Sequence, residues 1–173
     1  VRQLALEGMV QIIPNKGAFV TGISVRDVMD MYQIRARLEG LCASMAAEHV
    51  TKEQLEGMEE AIVLSDYHAG KGNYDQVCQQ DSRFHKLLYE ASGSRILVHT
   101  LGDFHQYLQR VRMASVQYRM RVRPSNSEHR KILEAIRQGD GQAAEKAAYG
   151  HIANTIENLK NFDLEKVLRE EMK

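Results

Sequence analysis

The chain contains no tryptophan, only two prolines and only two cysteines in 173 residues. Proline interrupts helix interiors, so a chain broken only by Pro14 and Pro124 suits a mostly helical domain. Cys42 and Cys78 lack C-x-x-C spacing and read as reduced core residues of a cytoplasmic protein. No apolar run approaches the roughly 18 residues that span a bilayer. The longest obvious one is Ala61 to Leu64, so no membrane partner is expected. The opening "VRQLALEGMV" is charged throughout and has no signal-peptide core. Neither sign of charge is in excess: 23 Lys and Arg face 23 Asp and Glu. A protein that wraps nucleic acid over its whole surface is normally basic. Any DNA contact must therefore be local or lie outside this chain.

What is present is globular. Apolar residues make up 43% and charged residues 27%, enough to bury one core of common domain size. Residues 1–23 differ from the rest. "LALEGMV" looks like a helix end with Gly8 as the stop. Two short apolar runs, Val10 to Ile13 and Ala18 to Val20, then flank Pro14-Asn15-Lys16-Gly17. That is a strand–turn–strand pattern with a basic tip. It has too little mass to fold alone, as if the chain starts inside a small domain.

From residue 24 to 173 everything reads as helix. Ser24 with Asp27 resembles a capping box, and Thr51 with Gln54 is a closer one. The helices are expected from Ser24 to about His49, from Thr51 to about Gly70, and from Asn73 to Ser92-Gly93. A long one follows from Arg95 to Arg121, then one from Pro124-Ser125 to Gly139, and one from Gln142, capped by Asp140, to Phe162. The tail "DLEKVLREEMK" reads as a short extra helix or a frayed end.

The informative residues are polar ones on apolar faces. Recurrence at i, i+3 and i+4 defines each buried stripe. Arg35 interrupts the stripe Val28, Tyr32, Leu38, Cys42, Met45. Asp81 and His85 lie on the stripe of the third helix, with Val77, Phe84 and Leu88. His129 shares a face with Ile132, Leu133 and Ile136; His151 follows Ala144 and Ala148. An unpaired buried charge costs several kcal/mol against about 5–15 kcal/mol of net stability, so convergence is the economical arrangement. One carboxylate and three imidazoles can share a divalent transition metal. Arg35 would then lack a permanent partner, and its planar guanidinium suits a small organic acid.

Each residue also has a plainer reading. A lone inward histidine is usually a satisfied core residue. Asp81 with His85 can be an intrahelical pair, and Arg35 can bridge to Glu39 or Asp81. His49, His68, His99 and His105 read as ordinary, and Met29, Met31, Met45, Met113 and Met120 as core or interface. The residues alone leave both readings open.

The sequence resembles the GntR superfamily of bacterial transcription regulators, in the FadR-like branch whose C-terminal domain is called FCD. Four stretches in order carry the likeness: "VRQLALEGMVQIIPNKGAFV", "YQIRARLEGLCASMAAE", "DSRFHKLLYEASGS" and "EHRKILEAIRQGDGQAAEKAAYGHI". Ser94 stands where the family commonly has Asn. The resemblance implies an all-α bundle, antiparallel, of six or seven helices. It is preceded by a helix end and a β-hairpin wing left from a winged helix-turn-helix. It implies metal ligands at Asp81, His85, His129 and His151, the metal being zinc or nickel, with manganese admissible. It places Arg35 near a small carboxylate effector. Arg2, Asn15, Lys16 and Gly17 match DNA-contacting positions of the wing and its helix. The implied partners are operator DNA, through a full-length homodimer, and the effector. With most of the winged-helix domain missing, this chain is expected to bind little operator DNA.

Two rivals remain at this stage. A metal-dependent hydrolase would need a general base, and no spare inward carboxylate presents itself. The His-Asp pair of helical phosphohydrolases and the Glu-x-x-His pairs of di-iron bundles are also absent. A metal-free ligand-binding bundle is the other. The family reading favours a regulator over an enzyme.

Overall fold

The computed structural model describes residues 10–13, 17–20, 23–109, 111–113, 122–161 and 163–169. Two short strands come first. β1 (Val10–Ile13) pairs antiparallel with β2 (Gly17–Val20), with Val10 opposite Val20 and Ile13 opposite Gly17. Gly17 takes φ 105°, a conformation open to glycine because it has no Cβ. Arg2, Asn15 and Lys16, and the helix end expected in residues 1–9, lie outside the described residues.

The other described elements are helices: α1 (Val25–His49), α2 (Lys52–Lys71), α3 (Tyr74–Ala91), α4 (Arg95–Tyr107), α5 (Val122–Arg137), α6 (Gly141–Leu159) and α7 (Leu164–Arg169). Their starts follow from local chemistry. Ser24 and Asp27 form a full capping box at α1, as Thr51 and Gln54 do at α2. Each box satisfies two backbone N–H groups that the first turn leaves without partners. Asp140 accepts from the Ala143 N–H at the start of α6. Gly72 ends α2 in the left-handed conformation. Pro124 falls in the first turn of α5, where a missing N–H has little consequence.

One expected boundary is corrected. The helix from Arg95 does not run unbroken to Arg121. α4 stops at Tyr107, and Leu108 caps it with φ −88° and ψ 1°. Residues 111–113 are helical again. Leu108, Val111 and Arg112 are buried at i, i+3 and i+4, continuing the inward face of Leu101, and Arg112 reaches Asp81.

The core divides into two apolar clusters. The first joins Cys42, Ala43 and Ala46 of α1 to Met58 and Ile62 of α2, Phe84 and Leu88 of α3, Leu101 of α4, and Ile132 and Ile136 of α5. The second joins Val28, Tyr32 and Ala36 of α1 to Ile152, Ile156 and Leu159 of α6, Leu108 and Val111, and Leu164 of α7. Along α1 the order is apolar, then Arg35 and Glu39, then apolar again. Along α6 it is Ala144 and Ala148, then His151, then Ile152 and Ile156. A polar layer therefore lies between the clusters. α1 and α6 approach closely at Gly40, where a Cβ would sit 3.2 Å from the Glu145 backbone oxygen. Among the described residues, no helix is long and apolar enough to cross a membrane.

Candidate metal centre

The polar layer holds the sequence-predicted residues. His85 comes from α3, His129 from α5 and His151 from α6, and all three are buried. One nitrogen from each lies within 4.8 Å of the others. His129 Nε2 is 3.2 Å from His151 Nε2. Asp81 sits one turn before His85 on α3. Its Oδ1 is 3.9 Å from His85 Nε2 and 3.7 Å from His129 Nε2. Three imidazole donors from three helices thus form one cluster, and Asp81 borders two of them without joining the mutual 4.8 Å group.

Asp81 is 18% exposed and uses Oδ2 to accept from Arg112. Arg112 Nη2 also donates to Ser82 Oγ at 3.1 Å, and its Nη1 meets His105 Nε2. Burial alone would keep Asp81 protonated. Arg112, then His85 and His129, outweigh it and hold the carboxyl well below the usual range. His129 is held well below the ordinary imidazole value by burial and by His151 beside it. His151 is also lowered by burial, against the opposing pull of Glu128. Neutral imidazoles are what a metal requires of histidine. Two nitrogens facing each other at 3.2 Å in a buried layer, with a carboxylate oxygen beside one of them, fit a divalent cation as shared partner.

Arg35 is corrected on one point: it does not lack a partner. Its Nε donates to Glu39 Oε1 at 2.9 Å, and its Nη2 meets the same oxygen. Tyr89 donates to that oxygen at 2.7 Å. Arg35 and Glu39 are 2% and 0% exposed, so this is a fully buried pair. Burial opposes the charge of Glu39; Arg35 and then His85 overcome it and keep the group ionised. Arg35 still lines a cavity of about 50 Å³ with Tyr32, Asp81, Arg112, Asn126 and His151. That is room for roughly three to five waters. The Tyr32 hydroxyl is buried and has no hydrogen-bond partner among the described residues.

Sequence reasoning missed Glu39, Arg112, His105 and Glu128. The Arg35–Glu39 spacing was a visible signal. His105 was read as ordinary, yet its ring lies 5.8 Å from that of His85. Burial and Arg112 push its pKa down to about 2. Gly17, one of the expected DNA contacts, is exposed at the start of β2.

Residues 30–154 match the family model of the FCD domain. The chain belongs to this family. Over 160 residues it is 26% identical to the HTH-type transcriptional repressor RspR of Escherichia coli (strain K12), covering 92% of this chain and 70% of that protein. It is 24% identical over 162 residues to the uncharacterized HTH-type transcriptional regulator YdhC of Bacillus subtilis (strain 168), covering 93% of this chain and 72% of that protein. The solved structure of E. coli McbR/YncC superposes with a TM-score of 0.73 at 16% identity, over 93% of this chain and 82% of that one. The two curated relatives are both HTH-type transcriptional regulators, and the McbR/YncC structure shares the fold.

Proposed function

We propose that the helical domain is a metal-dependent sensor of a small organic acid, and that it modulates DNA binding by the full-length regulator. Asp81, His85, His129 and His151 would hold one divalent cation, zinc or nickel by donor type, with manganese admissible. A bound cation would supply concentrated positive charge and open coordination positions facing the cavity. The protein's own groups do the remaining work. Tyr32 offers an uncommitted hydroxyl, and Asn126 and Arg112 border the same space. Arg35 binds Glu39 through Nε and Nη2, which leaves Nη1 for a ligand oxygen. The buried imidazole cluster with Asp81 is the observation that carries this reading.

Residues 1–23 would be the end of a winged-helix domain, with β1 and β2 as its wing. Arg2, Asn15, Lys16 and Gly17 would meet operator DNA in a homodimer. An acid shifts DNA affinity only if it binds one packing of the bundle more tightly than another. Calorimetric titration with zinc or nickel tests the first step. The unaltered protein should take up one ion per chain, and His129→Ala should abolish tight uptake. Uptake that survives loss of His129 and of His151 would sink the reading.

A further inference from the structure

Two carboxylates beside the imidazoles are not among the ligands proposed above. Glu128 Oε2 lies 2.7 Å from His151 Nδ1, and its Oε1 accepts from Asn154 Nδ2 at 2.9 Å. Glu39 Oε2 lies 3.2 Å from His85 Nδ1, within ion-pair reach but not aligned as a hydrogen bond, and both buried atoms are otherwise without a hydrogen-bond partner among the described residues. A neutral imidazole carries one N–H, and an ionised carboxylate only accepts. Each carboxylate therefore draws the ring proton to Nδ1 and leaves the Nε2 lone pair free. The geometry agrees at both rings. Nε2 of His151 faces His129, and Nε2 of His85 faces Asp81. The carboxylates lie behind the rings and the donor atoms in front. His129 is held differently, stacked on Phe84 with centroids 4.2 Å apart and planes 20° from parallel.

We infer that Glu128 and Glu39 are positioning residues for the metal site, fixing the Nδ1–H tautomer of His151 and His85 and aiming both Nε2 lone pairs at one point. The inference rests on the metal reading. It also explains a sequence feature: Glu128 adjoins His129, yet it serves His151 on another helix. One carboxylate on α5 thereby registers the ligand of α6. Loss of such a partner typically weakens metal binding by about 10- to 100-fold.

The test uses the full chain, zinc as probe, and two readouts. Competitive titration gives zinc affinity, and heteronuclear NMR of the ring nitrogens of the metal-free protein reports tautomers. The variants are Glu128→Gln, which is partly exposed and easily accommodated, and the double variant Arg35→Met/Glu39→Gln. The latter removes both members of the buried pair at once and avoids stranding one charge. Glu134→Gln, at the surface, is the control. Expected are a loss of about 10- to 100-fold in zinc affinity for each variant and movement of the affected ring toward mixed tautomers. The control should change neither. If the unaltered protein takes up no zinc, the metal reading fails and this inference with it. If it takes up zinc and Glu128→Gln leaves both affinity and the His151 tautomer unchanged, the inference alone is overturned.

Discussion

The two apolar clusters are unequal partners around the polar layer. The first draws on all of α1 to α6, with Ala144 and Ala148 of α6 included, and encloses Leu88, Met58 and Ile132 completely. The second rests on α1, α6, Leu108, Val111 and the short α7. Tyr32 and Ile152 of the second cluster also line the cavity. The first cluster is thus scaffold, and the second is scaffold and cavity wall at once. A layer that must hold charge gains most from being fixed on one side and adjustable on the other. Breaking each region in turn should expose that division of labour.

The largest effect is expected in the polar layer itself. Arg35→Ala strands the Glu39 carboxylate in a site that is 0% exposed. Breaking one side of a buried ion pair typically costs about 3–5 kcal/mol. Denaturant unfolding should show that loss, and Arg35→Met/Glu39→Gln should recover most of it. Next come the clusters. Leu88→Ala in the first should cost about 2–5 kcal/mol, as a void there has rigid neighbours on every side. Leu164→Ala, at the start of α7 and 7% exposed, should fall at the low end of that range, about 2 kcal/mol. Equal losses would mean that the two clusters are equally rigid.

Metal should sharpen the comparison by tying the layer together. At a hundred times its dissociation constant, zinc should add about 2.7 kcal/mol. A thermal-shift titration would register it, and Asp81→Asn should reduce it.

The α3 stripe was legible in the sequence almost residue for residue: Val77, Cys78, Phe84, His85 and Leu88 are buried as the periodicity demands. The stripe on α1 was turned by about one residue. Leu38 and Met45 are only half-buried, while Ala36, Gly40, Ala43 and Ala46 face inward. Hydrophobicity favours the larger side chains. Close approach of α6 at Gly40 needs the small ones. That rotation is what hides Glu39. An Arg and a Glu four residues apart ordinarily form a solvated surface pair, and only the packing of α3 and α6 against α1 buries this one. His105 and Arg112 continue the helical stripe of Leu97, Leu101 and Leu108, a periodicity the sequence carried but that a polar residue at a stripe's edge does not by itself reveal as inward. The two strands were visible as apolar runs around a turn-rich stretch; their register, with Val10 opposite Val20, was not.

Acid should probe the layer without any substitution. Burial keeps His129 and His151 below the ordinary 6.5, and burial with Arg112 holds His105 at about 2. Below pH 6.5 the unfolded chain takes up protons at these groups and the folded one resists. Stability therefore falls as pH drops, by at most about 1.4 kcal/mol per pH unit for each such histidine. Glu39 and Asp81 have lowered values as well. The stability they confer is intact above their unfolded values of 4.5 and 3.8 and is lost only below them. The interval from pH 6.5 to 4.5 thus isolates the imidazoles. Stability should fall toward acid across it in wild type, and fall less steeply in His129→Ala, where His151 and His105 remain. A flat wild-type profile would mean that the histidines are already charged in the folded state.

The smallest expected effect concerns which acid the cavity prefers. Asp81, Glu39 and Glu128 supply three negative charges to the layer, and Arg35 and Arg112 supply two positive ones. With neutral imidazoles, one negative charge remains. A divalent cation would turn that into one positive charge. Burying an uncompensated charge is unfavourable, so the loaded site balances with a single carboxylate and is overbalanced by two. A short monocarboxylate bearing a hydroxyl for Tyr32 should therefore bind at least about tenfold more tightly, or about 1.4 kcal/mol, than a dicarboxylate of equal length. Calorimetry on the zinc-loaded protein would measure the ratio. Glu128→Gln removes one negative charge and should shift the preference toward the dianion, the reverse of what a purely steric pocket would do.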